Sequence, residues 1–296
     1  MSREFLIIAN PISGGGRSQT KAPQLRDALV ARGCGAELYF TERGGDAKRR
    51  AAEVGLGQYE GVISVGGDGT LNEVLNGLPD PSIPLGILAM GTANALALEL
   101  RLPRDPTALA DILATGHTRP VAIGLVEDRR FLLCVSSGLD ANIVQRIEEV
   151  RSGTLGKRRW IGPILHTLRR WPLQSRQIRT DEGIVHQDVT TVVISRTSSY
   201  GGILTLPGGI DVGDGLLHAL VFKQRGRWRY FCAVIRALFG RLRVGADVIH
   251  LPTRGLRVEA ASDAVWQVDG DLGGKGDIRI SLHTTPARLF APPPTS

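Results

Sequence analysis

Cysteine is scarce in this chain of 296 residues. Cys34, Cys134 and Cys232 are odd in number, widely spaced and without metal-ligand spacing. That excludes a disulfide scaffold and a cysteine metal centre, and predicts buried thiols in a reducing cytosol. The six histidines show no ligand spacing either, which argues for structural roles. No apolar run approaches the length of a transmembrane helix, and the opening MSREFLIIANP is too short and wrongly flanked for a signal peptide. A cytoplasmic location is therefore expected. There is no internal repeat, no low-complexity tract beyond the APPPTS tail, no Walker A sequence and no GxGxxG after the first strand.

Acidic residues are also missing from two stretches. Residues 151–179 carry Arg151, Lys157, Arg158, Arg159, Arg169, Arg170, Arg176 and Arg179 with no acid, and residues 223–243 carry Lys223, Arg225, Arg227, Arg229, Arg236, Arg241 and Arg243 with none. These stretches hold fifteen of the 36 basic residues, which leaves 21 basic against 29 acidic elsewhere, although the whole chain is at +7. An acidic body with two cationic segments suits a polyanionic partner, either nucleic acid or an anionic membrane surface. In GRWRYFCAVIRALFGRLR, a helix would place Trp228, Phe231, Cys232, Ile235, Leu238, Phe239 and Leu242 on one face, with the arginines around it.

What is present is a change of pattern along the chain. Up to about residue 120, strands at EFLIIANP, GAELYFT, VISV and IPLGILAM alternate with helical segments at 20–32, 46–54, after residue 68, around 93–100 and at 106–115. Alternation of this kind predicts an α/β domain with a parallel sheet. Beyond Val121, short β-branched runs such as VTTVVISR, LLHALVFK and DIRISLH are separated by Gly, Asp and Pro, which predicts an antiparallel β-sandwich. The expected domains are residues 1–124 and 125–296, with the C-terminal tail free to return to the first.

Glycine-rich turns follow the first-domain strands. Gly66-Gly67-Asp68-Gly69-Thr70 joins the VISV strand to a helix whose stripe is Leu71, Val74, Leu75 and Leu78. Such a turn offers helix N-terminal amides to phosphate. Asp68 conflicts with a bare anion cradle, and a bridging Mg²⁺ removes the conflict. The alternative is that Asp68 caps its helix. ANPISGGGR adds Asn10, the run Gly14 to Gly16 and Arg17; MGTANALA adds Thr92 and Asn94. Loops at the carboxyl edge of a parallel sheet are where such folds bind ligands. In the sandwich, VDGDLGG puts Asp269 and Asp271 on a tight turn, Asp214-Gly215 reads as a metal loop or a plain β-turn, and Asp140 reads as a cap for the helix at ANIVQRIEEV.

Together NPISGGGR, GGDGTLNEVLNGL, GTANALA, SSGLDA, LPGGIDVGDGLL and DGD, in this order, resemble the diacylglycerol kinase catalytic-domain family, which includes bacterial lipid kinases and the sphingosine and ceramide kinases. The resemblance spans nearly the whole chain. It implies a lipid kinase in which Asn10, Thr41, the loop Gly66, Gly67, Asp68, Gly69, Thr70, Leu71 and Asn72, and Thr92 hold ATP, with Arg17 on the phosphates. It implies that Asp68 acts through Mg²⁺, that Asp271 is the proton acceptor for the lipid hydroxyl, and that Asp214 with the carbonyls of Asp211 and Leu216 forms a structural Mg²⁺ site. Asp271 replaces the family's usual Glu, one methylene longer, and Ala95 stands where bacterial diacylglycerol kinases have Asp. The wording NALA is closer to the sphingosine-kinase branch. The implied acceptor is a lipid hydroxyl of diacylglycerol, a sphingoid base or a ceramide-like molecule, met by peripheral association with an anionic membrane and not with nucleic acid; a homodimer stays open. An NAD kinase shares GGDGT and Asn72-Glu73, but the second half lacks that enzyme's Gly- and Thr-Pro-rich signature. A non-catalytic nucleotide-binding regulator is the third alternative.

Overall fold

The computed structural model describes residues 3–150, 166–167, 169–171, 173–200, 204–223, 226–245 and 248–293. Arg151, Lys157, Arg158, Arg159, Trp160 and Arg225 lie outside the described residues, as does the side chain of Arg227. The chain divides into two units, one of residues 1–123 with 283–296 and one of residues 124–282.

The first unit runs β1 (Glu4–Ala9), α1 (Ser18–Val30), β2 (Gly35–Phe40), α2 (Asp46–Ala52), β3 (Gly61–Gly66), α3 (Asp68–Gly77), β4 (Leu85–Ala89), α4 (Ala95–Glu99), α5 (Pro106–Thr115) and β5 (Thr118–Val121). β1, β3 and β4 are buried along almost their whole length, as strands covered on both faces must be. Phe5, Ile7 and Ala9 pack with Leu25, Leu29, Leu109 and Leu113 of α1 and α5, while α2 and α3 pack on each other and α2 also reaches β1. The expected stripe of Leu71, Val74 and Leu75 is the buried face of α3. Helix α5 follows its local signals closely: Asp105 caps the Ala108 amide at 3.0 Å, Pro106 opens the helix, and Gly116 ends it at φ 71°. The strand order is β2-β1-β3-β4-β20-β5, in which β20 (Ala287–Phe290) comes from the C-terminal tail, parallel to β4 and antiparallel to β5. The chain thus steps from β1 to β2 on one side and then crosses back over β1 to β3 on the other, so the loops after β1 and β3 flank a topological switch point.

The second unit is antiparallel. Its elements are β6 (Gly124–Val126), β7 (Arg129–Phe131), β8 (Cys134–Ser137), α6 (Leu139–Val150), β9 (Arg176–Thr180), β10 (Val185–Val189), β11 (Thr191–Ser195), β12 (Ser199–Tyr200), β13 (Leu204–Thr205), β14 (Leu217–Phe222), α7 (Arg227–Leu238), β15 (Val248–Thr253), β16 (Gly255–Glu259), β17 (Val265–Val268), β18 (Asp271–Lys275) and β19 (Ile278–Leu282). Two six-stranded sheets, ordered β10-β9-β16-β19-β6-β7 and β15-β14-β11-β8-β17-β18, share one apolar core that includes Phe131, Ile178, Ile194, Val221 and Ile280. The first of them has a wet outer face, where β9, β16 and β19 alternate buried and exposed positions. The outer face of the second is covered by a further apolar cluster, in which Tyr230, Ala233 and Ala237 of α7 join Leu220, Phe222, Val248 and Trp171. Not every residue of the cationic segments is on the surface. Arg176 is 2% exposed and donates Nε to Ser137 Oγ and Nη1 to the carbonyls of Gln174 and Thr190, which offsets part of the cost of burying a guanidinium. The thiols also differ from expectation: Cys34 is buried, but Cys134 and Cys232 are only half-buried.

The tail strand is held by Phe290, which is 1% exposed and meets Phe5 edge-on at 5.8 Å. Phe290→Ala should destabilise the first unit by about 3–5 kcal/mol, read from urea unfolding. A loss below about 1 kcal/mol would show that the tail is not part of that core.

Candidate functional site

Backbone pairing at the carboxyl edge of the parallel sheet continues past the strands. Thr41 N donates to Ala9 O at 2.9 Å, Asn10 N to Val65 O at 2.9 Å, and Met90 N to Gly66 O at 2.7 Å. This ladder sets Thr41, Asn10, Gly66 and Met90 side by side, although they are far apart in sequence. The loop after β1 curls back under it. Gly14 lies at φ 65°, and a Cβ there would sit 2.8 Å from the Met90 carbonyl, so this position tolerates no larger residue. Exposed Arg17 donates Nε to Gly14 O at 2.9 Å, so one edge of its guanidinium is spent on its own loop.

Helix α3 begins at the turn after β3, and its first backbone bond runs from Leu71 N to Gly67 O at 3.2 Å. The amides of Asp68, Gly69 and Thr70 precede that bond and carry the helix's positive end. Gly67, Asp68 and Gly69 are half-buried to exposed, whereas Thr70, Leu71 and Asn72 are buried and part of the helix's inner face. Asp68 does not cap α3: the cap position is Gly67, which makes no side-chain bond. Its carboxylate turns to the start of α4 instead. Burial pushes the Asp68 carboxyl up, and the Ala95 and Asn94 amides that donate to it pull it back down.

The turn before α4 is built to receive that carboxylate. Asn94, 3% exposed and left-handed at φ 52°, accepts the Gly91 amide at 2.9 Å and donates to the Gly91 carbonyl at 2.7 Å. Its side chain is therefore consumed within its own loop, while Thr92 is exposed. Gly91 and Gly67 touch backbone to backbone; a Cβ on Gly91 would be 2.6 Å from Gly67 Cα.

In the sandwich, Asp269 and Gly270 have φ 50° and 91° and join β17 to β18 as a two-residue hairpin. The Asp269 carboxylate accepts the amides of Leu132, Leu133 and Cys134 at 2.9–3.3 Å, so it anchors the hairpin. Asp271 is exposed, and its Oδ2 is 2.7 Å from Arg129. Gln267 ties the hairpin to a buried polar network: its Oε1 accepts the Gly270 amide at 2.9 Å, and its Nε2 donates to Ser136 Oγ at 2.8 Å and Asp140 Oδ2 at 3.4 Å. Ser136 and Tyr200 also donate to Asp140 Oδ2. Burial pushes the Asp140 carboxyl up and the Tyr200 hydroxyl well up. Sequence reasoning missed Arg129, Gln267 and Tyr200; the one available signal was a glutamine inside the apolar strand VWQV.

Asp211, Asp214 and Leu216 lie between β13 and β14, on a loop anchored by buried Leu206, Ile210 and Val212. Asp211 Oδ1 accepts the Gly213 amide at 2.8 Å, and Asp214 Oδ1 accepts the Leu216 amide at 2.9 Å. Among the described residues no group of three or more His, Cys, Asp or Glu side chains could hold a metal ion.

Two family models match. The diacylglycerol kinase catalytic domain matches residues 4–126, and the YegS C-terminal NAD kinase beta sandwich-like domain matches residues 133–290. A "Diacylglycerol kinase" of Staphylococcus epidermidis is 28% identical over 284 residues, covering 93% of this chain and 88% of its own. One of Staphylococcus saprophyticus is 28% identical, with 93% and 91% covered. Among solved structures, a diacylglycerol kinase from Bacillus anthracis str. Sterne superposes with TM-score 0.76 at 21% identity, covering 99% of this chain and 97% of its own. A second chain from that organism reaches 0.80 at 25% identity, with 99% and 98% covered.

The contact of Gly91 with Gly67 generates a direct test. Gly91→Ala must push the two turns apart, and Asn94→Ala removes both bonds of the clamp. If this edge holds ATP, each should weaken its binding about tenfold or more, a loss of about 1.4 kcal/mol, with circular dichroism unchanged. Unaltered affinity in calorimetric titration of both variants would show that nucleotide does not depend on this juncture.

Proposed function

The chain belongs to the family that couples a diacylglycerol kinase catalytic domain to a YegS-type NAD kinase-like sandwich, and from that premise we propose an ATP- and Mg²⁺-dependent kinase that phosphorylates a lipid hydroxyl. The observation that carries the reading is the switch-point edge of the parallel sheet. There a helix N-terminus, two glycine turns in contact and a single carboxylate face the side where α/β folds take phosphate. Diacylglycerol is the first acceptor to assay because the curated relatives bear that name; sphingoid base, ceramide and NAD complete the panel.

The residues suit the parts of phosphoryl transfer. The α3 amides and the loop after β1 hold phosphate oxygens, and the free edge of Arg17 adds charge. One half-buried carboxylate, Asp68, fits a Mg²⁺ that arrives on the nucleotide and keeps most of its waters. Bound there, Mg²⁺ would supply neutralisation of the phosphate charge. Asp271 accepts the proton as the lipid oxygen bonds to the γ-phosphorus and ADP leaves. Arg129 holds the Asp271 carboxylate in one orientation. Asp269, with three amides on it, is a poor substitute for that role.

Access to lipid is read from α7. Tyr230, Ala233 and Ala237 bury one face, and Trp228, Ile235, Leu238 and Phe239 form a second apolar stripe in solvent, with Trp228 at 74% and Phe239 at 72% exposure. Leu242, expected on that stripe, is instead buried, because the helix stops at Leu238. Arg229 and Arg236 are exposed beside the stripe, and Arg241 and Arg243 follow it. A shallowly inserting helix with basic flanks has this arrangement. Among the described residues no helix is long and apolar enough to cross a membrane.

Asp68→Asn, which keeps an oxygen acceptor for the Asn94 and Ala95 amides, should abolish turnover with the fold retained, and Asp271→Asn should lower kcat about 10²–10⁴-fold with ATP affinity little changed. Asp271→Glu tests reach; activity at or above wild type would show that either side-chain length serves. Retained turnover in Asp271→Asn would move the proton acceptor elsewhere. Independently, Arg229→Glu with Arg236→Glu should reduce sedimentation with anionic liposomes about 10²-fold at low salt, and Trp228→Ser with Phe239→Ser should also weaken it. Activity on vesicle substrate should drop with binding while activity on detergent-dispersed lipid persists. Equal losses on both substrates, or preferential binding to duplex DNA, would reject the membrane reading.

A further inference from the structure

We propose that a buried arginine, Arg196, is the counterion of the Asp211–Leu216 loop, so that this chain holds the loop without the Mg²⁺ that the family resemblance implies there. The argument rests on who already occupies Asp214. Its Oδ1 is 3.5 Å from Arg196 Nη1 and accepts the Leu216 amide; its Oδ2 is 2.7 Å from His218 Nε2. Arg196 is 0% exposed and also donates Nη2 to the Val212 carbonyl at 2.7 Å, gripping the loop at two points. Behind it, His218 Nδ1 meets His250 Nε2 at 3.0 Å, and the rings stack at 5.2 Å with 9° between planes. This fixes His218 with its Nε2 aimed at Asp214. The Asp211 carbonyl accepts the Asp214 amide at 3.3 Å, the hydrogen bond of a closed turn.

Mg²⁺ requires several oxygen ligands in near-octahedral array. The groups turned toward the Asp214 carboxylate are a guanidinium, a ring N–H and a backbone N–H, all electropositive. A divalent ion beside the guanidinium would add like-charge repulsion and would compete with Arg196 for the Asp214 carboxylate. The donor set therefore does not fit the ion. A covalently attached cation holds the loop in its place.

Thermal unfolding of the full-length, nucleotide-free protein tests this without reference to activity. The transition of the wild-type chain should be the same in EDTA and in millimolar MgCl₂. Arg196→Met should unfold about 6–15 °C lower, the loss for removing the buried half of an ion pair. A wild-type midpoint that falls in EDTA, recovers with Mg²⁺ and loses that response in Asp214→Asn would overturn the proposal. So would an Arg196→Met midpoint equal to wild type. If Arg196→Met does not fold, the wild-type and Asp214→Asn comparison decides alone.

Discussion

Two amides at the start of one short helix, those of Asn94 and Ala95, point at the Asp68 carboxylate, and the carboxyl edge of the first unit's sheet depends on that contact. Hydrogen bonds to a charged acceptor are worth about 1.5–3 kcal/mol each, more than an ordinary backbone pair. They link the turn after β3 to the turn after β4, and the Gly67–Gly91 approach requires glycine at position 91, where a Cβ would be 2.6 Å from Gly67 Cα. Asn94 then consumes both ends of its amide on Gly91, which keeps the α4 amides aimed. The Asp68 carboxylate is therefore a brace between the two glycine turns. Its partial burial raises the cost of its charge, and a bound cation would relieve that cost.

The second unit solves a parallel problem with other residues. The carboxylate proposed as proton acceptor, Asp271, lies at the surface on a hairpin, where a flexible turn would leave it poorly aimed. The hairpin is tied down on one side by Asp269, which gathers three amides of the β7–β8 connection, and on the other by Gln267, which reaches into the Ser136, Asp140 and Tyr200 network. Buried polar groups of this kind are costly unless their partners are in place, so the network specifies one arrangement of β8, α6, β12 and β17. The loop around Asp214 follows the same rule, with Arg196 spanning a carboxylate and a carbonyl.

Helix α7 shows how one element can serve core and surface together. Its inner residues are small or amphipathic, Tyr230, Ala233 and Ala237, and let the helix lie close on the sheet. Its larger apolar residues, Trp228, Leu238 and Phe239, face away. A helix driven only by burial would have the opposite arrangement.

Several features of this protein were determined by sequence alone. The alternation of strand and helix, the switch to short β-branched runs and the buried stripe of α3 follow from period-2 and period-3.6 patterning, which is local. So do the Asp-Gly hairpin and the caps of α5, whose signals lie within a few residues. The order of glycine turns was legible for the same reason, and with it the family. The partners of each turn were not. That Asp68 braces α4 rather than capping α3, that Thr70 and Asn72 face inward, that Arg176 and Arg196 are interior cations despite lying in or near basic stretches, and that Ala287–Phe290 completes the first sheet all depend on contacts between residues distant in the chain. A charge counted along a sequence has no burial, and an apolar stripe does not say whether it faces core or solvent. Only the tertiary packing, by choosing which face of α7 met the sheet and which carboxylate met a guanidinium, decided those.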